Sequence, residues 1–291
     1  MGSLKTLALA SAVALGVPAF ASAADFPISS PPPPPPETLG LKGTISSGVY
    51  LRGDIGVGQL QTSKYYQQDV ASVNGTFFGA GDTTTVFAGA GLGYRFNNWF
   101  RVDGTLEYRG GAHFSVNDKL TYNNGFGIVQ QSNSYKGNIS SMVALFNAYV
   151  DLGTWYCLTP YIGAGIGYAT NTISGMTDQG IVFAGGPSSA TLGTAGNGDK
   201  SGVAWALMAG VGYEVNKNLT LEAGYRYLNL GEAQSGRIQN AFLNQSYAPL
   251  KVKELESHDF KIGMRWNFGE PDCCGPTERV APYYPPTVRK F

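Results

Sequence analysis

Beyond residue 23 the chain has no unbroken apolar run of eighteen residues, so nothing there can cross a bilayer as a helix. Charge is scarce and cancels: 14 % of residues are charged, with 20 Lys+Arg against 20 Asp+Glu. That balance excludes nucleic acid as an electrostatic partner, and the low charged fraction argues against disorder. Only three cysteines and two histidines occur. Three thiols are one ligand short of a tetrahedral metal centre, and no fourth is evident. No cofactor is expected.

Glycine and tyrosine are plentiful, at 40 and 17 residues, within many alternating stretches. This composition predicts an all-β chain. The clearest stretch is His258–Phe268 (HDFKIGMRWNF). His258, Phe260, Ile262, Met264, Trp266 and Phe268 alternate with Asp259, Lys261, Gly263, Arg265 and Asn267. A period of two gives a strand two unlike faces. The apolar face packs either on a soluble core or on lipid with the charged face in a lumen. About eleven tilted residues cover roughly 28 Å, close to a hydrocarbon layer.

Met1–Ala23 reads as a signal peptide: Lys5, an apolar Leu7–Val17 core and an Ala21-Ser22-Ala23 cleavage site. The run Pro31–Pro36 favours polyproline II, so Ala24–Thr44 is a semi-rigid arm, either a passive spacer or a tether. The expected organisation is leader 1–23, periplasmic arm 24–44, β domain 45–268 and periplasmic tail 269–291.

Eight strands are predicted: Val49–Gly58, Thr85–Phe96, Phe100–Arg109, Met142–Leu152, Pro160–Ala169, Ala204–Val215, Leu219–Leu230 and His258–Phe268. Opposite their apolar faces stand Arg52, Arg95, Arg101, Arg109, Arg226, Lys261 and Arg265. The acids are Asp54, Asp103, Glu107, Asp151, Glu214, Glu222 and Asp259. An eight-stranded barrel has a lumen that side chains just fill, so seven cations against seven acids make a self-neutralising plug. Gly89, Gly91, Gly93, Gly163, Gly165, Gly167, Gly210 and Gly212 fall on charge-poor inner faces and leave room for long Arg and Glu side chains.

The connections alternate in length. Asn97–Trp99, Gly153–Thr159 and Asn216–Asn218 are short; Gln59–Thr84, Gly110–Ser141, Thr170–Val203 and Gly231–Ser257 are expected as long loops. Short periplasmic turns and long outer loops belong to membrane barrels, whereas a soluble lipocalin-like barrel has no reason for them. Tyr94, Phe96, Phe100, Trp155, Tyr156, Tyr213, Trp266 and Phe268 gather at the short-turn end as an interfacial girdle. The expected fold is an eight-stranded antiparallel up-and-down transmembrane β-barrel, and the expected location the outer membrane.

Several stretches carry a resemblance. They are the cut before Ala24-Asp25, the proline run, Ser47–Gly58, Phe96–Arg109, Asn147–Ala169, Asn218–Gly231 and a terminal strand ending on Trp266 and Phe268. The chain resembles the eight-stranded outer-membrane barrels of alphaproteobacteria, the opacity-type surface antigens often labelled porin family. The tail from Gly269 departs from that pattern. The resemblance implies an envelope role: structural integrity, surface antigenicity, weak pore activity in some members. It implies outer-membrane lipid, lipopolysaccharide and the barrel-assembly machinery as partners. Some members are joined to peptidoglycan at the mature N-terminus, which here marks Ala24.

GAGLGY (Gly89–Tyr94) and GAGIGY (Gly163–Tyr168) lie mid-strand with no helix following, so they read as small lumen residues and not as phosphate loops. His113 and Ser115 would need an orienting acid to act as base and nucleophile, and none is identifiable; they read as loop residues. His258 is expected to pack at the outer interface. Cys157 lies in a periplasmic turn and Cys273 and Cys274 in the tail; in an oxidising compartment Cys157 would bond one of them. The leading expectation is a non-enzymatic structural barrel. The alternatives are a narrow diffusion channel, or an adhesin or binding protein acting through its long loops.

Overall fold

The computed structural model describes residues 48–242 and 245–268; the leader, the Ala24–Thr44 arm, Cys273, Cys274 and the tail from Gly269 lie outside the described residues. In chain order the elements are β1 (Gly48–Tyr66), α1 (Gln68–Ser72), β2 (Thr76–Phe78), β3 (Thr83–Arg95), β4 (Phe100–Asn123), β5 (Ile128–Asp151) and β6 (Leu158–Phe183). Then come β7 (Ser189–Ala195), β8 (Gly198–Glu214), β9 (Leu219–Gln234), β10 (Ile238–Asn240), β11 (Ser246–Tyr247) and β12 (Lys251–Asn267).

Eight of these strands close on themselves. β1 pairs β3, and the ring runs on through β4, β5, β6, β8, β9 and β12 back to β1, every pair antiparallel. Closure leaves no sheet edge in lipid, which is what a strand needs to cross a membrane. All eight expected strands are present. The turns at the short end form around asparagine side chains that take up free amides. Asn97 Oδ1 accepts from the amides of Trp99 and Phe100, and Asn216 Oδ1 from those of Asn218 and Leu219.

Much of the expected long loops is strand. β4 and β5 have 24 residues each and β6 has 26, more than twice a membrane span. The stretch expected as the loop Gly110–Ser141 is almost wholly a hairpin, turning at Asn124–Gly127. Above the ring these strands continue as an extracellular sheet that recruits new neighbours. β6 pairs β8 up to Ile173, then β7 from Met176; β4 pairs β3 up to Gly110, then β2 from Asn117. β10 pairs with β7 and β11 with β10.

Bulges separate the two zones. β4 inserts one extra residue between Arg109 and Ala112, and β6 one between Ser174 and Thr177. Gly111 and Gly175 sit there with φ of 79° and 59°, a left-handed backbone that glycine adopts without a Cβ clash. Because the side-chain period is two, one extra residue turns the following strand over. Below the bulge Val102, Leu106 and Tyr108 point outward; above it Ala112, Phe114 and Val116 point inward and are buried, while His113 and Ser115 are exposed. The upper zone is therefore built like a soluble domain. Leu60, Phe114, Val116, Ile139, Ile173, Leu230 and Leu250 are among its buried apolar residues.

Candidate functional site: the filled lumen and the cavity above it

Within the ring the charged residues point to the axis. Arg52, Glu107, Glu222 and Arg265 are 2–6 % exposed, whereas their strand neighbours Leu51, Leu106, Leu221 and Ile262 are 44–65 % exposed. The outer surface of the ring is apolar, and Tyr94, Phe96, Trp99, Trp155, Tyr156, Tyr213, Trp266 and Phe268 are exposed at its short-turn end. That is an interfacial aromatic girdle. Phe268 also donates its amide to Val49 O, 3.0 Å away, one residue beyond β12.

The lumen ions form two linked clusters. Toward the short turns, Arg52 donates from Nη1 to Asp103 Oδ2 at 2.7 Å and to the Tyr149 hydroxyl at 2.8 Å. It clasps Asp54 through Nε and Nη2 at 2.9 and 2.8 Å. Glu222 stands within 3.3 Å of Arg52, 3.3 Å of Arg101 and 3.0 Å of Arg265. Arg101 donates to Asp151 at 3.2 Å. Toward the outer end, Arg109 donates to Glu107 at 2.8 Å and Asp259 at 2.6 Å, and Arg226 joins the same two acids. Lys261 Nζ approaches Asp54 at 3.8 Å between them. Charges buried in this way are tolerable only because each is paired.

Two residues expected in this plug stand apart from it. Arg95 is half-buried at the short-turn end and joins none of these ion pairs; its register partner is Arg101, a like charge. Glu214 is half-buried at the end of β8, also outside the clusters. Both lie at strand ends, Arg95 closing β3 and Glu214 closing β8. Gly89 and Gly91 lie against Glu107 and Arg52, as expected, while three other lumen glycines face tyrosines. A Cβ on Gly93 would meet the Tyr50 ring at 2.3 Å, on Gly163 the Tyr149 ring at 2.5 Å, and on Gly210 the Tyr161 hydroxyl at 2.6 Å. Arg101 lies over Tyr149 and Tyr161, 4.2 and 4.8 Å from the ring centroids. Sequence reasoning missed these three tyrosines, though their place on the charged parity of each strand marked them as inward. The void remaining among Asp54, Glu107, Tyr149, Arg226 and Lys261 is about 10 Å³, roughly the room one water needs.

The remaining candidates are placed as follows. His258 Nδ1 is 2.6 Å from the Tyr225 hydroxyl on the outer wall, an interfacial pairing. His113 and Ser115 face outward above Tyr108 on an extended strand. Cys157 closes the turn before β6 with φ 66° and is disulfide-bonded.

A second cavity, of about 180 Å³, lies in the extracellular zone, bordered by α1 and by inward residues of β4, β5, β6 and β7. Asp118 is fully buried beside it and accepts from Asn133 N at 3.0 Å, Asn133 Nδ2 at 3.0 Å and the Tyr135 hydroxyl at 2.7 Å. Asp178 is different: its Oδ1 is buried without a hydrogen-bond partner. Burial, and then the Asp118 charge, push the Asp178 carboxyl up to about 7. Burial also raises Asp118, against the pull of its three donors, and holds the Tyr135 hydroxyl well above the usual phenol range.

A closed antiparallel ring with a lipid-facing apolar wall, an ionic interior and one aromatic-rimmed end defines an outer-membrane barrel. Residues 7–268 match the family model of the outer membrane protein beta-barrel domain, and the chain belongs to that family; it is a protein of the cell outer membrane. It is 31 % identical over 275 residues to an uncharacterised protein of Brucella abortus strain 2308, covering 85 % of this chain and 93 % of that one. It is 26 % identical over 231 residues to outer membrane protein PagN of Salmonella typhimurium, covering 76 % and 90 %. Among solved structures, Neisserial surface protein A aligns with a TM-score of 0.37 at 18 % identity, over 77 % of this chain and 99 % of that one.

Proposed function

We propose that the protein is a structural barrel of the cell envelope, closed to solute through its lumen, which holds an extracellular β-sheet above the membrane. The observation that carries this reading is the plug. Arginine side chains from four strands pair with acids from five across the axis, and the void between them is about 10 Å³. Opening a path would leave buried charges unpaired, at about 3–5 kcal/mol for each broken pair. The narrow-channel reading asks for that cost at every opening. Purified barrel in planar bilayers is expected to give no steady conductance; open-state currents of general-porin size would overturn the reading.

The arm and tail belong to the same proposal. Ala24 would join the barrel to peptidoglycan, and Cys157, bonded to Cys273 or Cys274, would hold the tail at the periplasmic face. A binding role for the extracellular sheet is the second reading. The hairpin tips favour it, because Phe126, Ile128, Phe183 and Phe242 are exposed there, Phe126 almost completely. Apolar side chains kept at the tips of polar strands are characteristic of contact surfaces.

A further inference from the structure

The extracellular cavity has a composition that neither the plug nor the hairpin tips explain. Leu120 and Val70 give it an apolar floor, Tyr122, Tyr135 and Tyr247 aromatic walls, and Asp178 an acid. No lysine, arginine or histidine is among the residues that line it. At about 180 Å³ it exceeds many times the roughly 10–15 Å³ that one water needs.

The two acids at this level are treated differently by the fold. Asp118 is saturated by two donors of Asn133 and by Tyr135, which makes it structural. Asp178 lines the cavity, keeps a buried oxygen with no donor and has no cation against it. A carboxylate withdrawn from water and left unpaired costs free energy that a bound cation would recover. Tyrosine rings around such a site stabilise a cation further through their faces. An anion would meet two carboxyl groups, Asp69 and Asp178, and no cation among the lining residues.

We propose that this cavity binds a small organic cation, an alkylammonium compound whose charged head pairs with Asp178 and whose aliphatic part rests on Leu120 and Val70. The inference does not rest on the closed-lumen reading, since the cavity lies above the plug. Binding requires ionised Asp178, so affinity rises with pH. The groups around that carboxyl are Asp118 from β4, Tyr135 from β5, Asp69 from α1, Tyr122 from β4 and Tyr247 from β11, none of them basic. With the carboxyl near 7, its ionised fraction rises about tenfold between pH 6 and pH 8.

The test uses the full chain refolded in detergent micelles and titrated calorimetrically with choline and with butylamine at constant salt. The control is 3,3-dimethyl-1-butanol, the neutral isostere of choline. Saturable binding of at least one cation, none of the alcohol, and about tenfold tighter binding at pH 8 than at pH 6 are expected. Asp178→Asn should weaken binding at least tenfold while the heat-modifiable gel shift stays intact. Should that variant fail to fold, Tyr122→Ala, which leaves the Asp118–Tyr135 hydrogen bonds in place, is expected to weaken binding about tenfold. No saturable binding of either cation would mean a hydrated carboxyl only and would overturn the proposal. Equal binding of the alcohol, or unchanged affinity in a folded Asp178→Asn barrel, would do the same.

Discussion

Arg109 shows what a single lumen side chain holds. It reaches Glu107 and Asp259, donates to Ser257 Oγ at 2.8 Å, and lies 4.6 Å from the Phe87 ring centroid. Removing it leaves Glu107 and Asp259 to share Arg226 alone, one cation for two buried carboxylates, so Arg109→Met is expected to destabilise the barrel by about 3–5 kcal/mol. The pair Lys64–Glu254 has the same chemistry on the outer surface, with both side chains exposed. Solvent screens it, and Lys64→Ala should cost about 1 kcal/mol or less. Urea unfolding of both variants refolded in lipid vesicles measures the contrast; equal losses would show that burial does not set the value of these pairs. Tyr50, Tyr149 and Tyr161 matter at the same scale. Their rings occupy the gaps opposite Gly93, Gly163 and Gly210, so these three glycines are packing partners of tyrosine, while Gly89 and Gly91 give clearance to Glu107 and Arg52.

At the scale of the element, β4 turns itself inside out. Its apolar residues keep one parity from Val102 to Val116, yet the bulge at Gly110-Gly111 moves them from the lipid face to the core. A Cβ on Gly111 would touch nothing within 4 Å, so the cost of Gly111→Ala is conformational only, about 1–2 kcal/mol. Deleting Gly111 is a different perturbation. It removes the extra residue, so Ala112 stays opposite Ile139 on a plain strand, Ala112, Phe114 and Val116 stay inward, and His113 and Ser115 stay outward. That variant is expected to keep the heat-modifiable band, as Gly111→Ala does. If the deletion lost the band, the bulge would be doing more than carrying one extra residue between two inward faces. The bulge also explains why this region reads as a loop in the sequence: two glycines followed by Asn- and Ser-rich segments imitate turn chemistry, while long-range pairing keeps the chain extended.

The whole molecule combines two solvation regimes in one cylinder. The lower ring is apolar outside and ionic inside; the upper sheet is apolar inside and polar outside. Lipid sets the first arrangement and water the second, and the bulges mark the boundary. A ring whose lumen is filled suits the proposed structural role, and Ala24 is where the proposed tether would attach. Sacculi digested with muramidase are expected to release a form whose N-terminal peptide carries a muropeptide mass on Ala24. A free amine on every Ala24 would refute the tether and leave the barrel untouched.

Local alternation was enough to determine the ring. A strand with unlike faces has only two orientations, and turn lengths, girdle aromatics and balanced inner charges all select lipid outside for Arg52, Glu107, Glu222 and Arg265. Which acid meets which base was beyond the sequence, because partners such as Arg109 and Asp259 are 150 residues apart and only barrel closure and stagger bring them together. Arg95 and Glu214 had the parity of their neighbours and fell out of the plug because they are the last residues of β3 and β8, so height along the axis, not facing alone, decides which ions meet. The extracellular sheet and its cavity were hidden for the same reason: β2 and β7 hold their conformation through pairing with strands anchored in the ring, β10 and β11 through β7 in turn, and no short stretch of their own sequence encodes it.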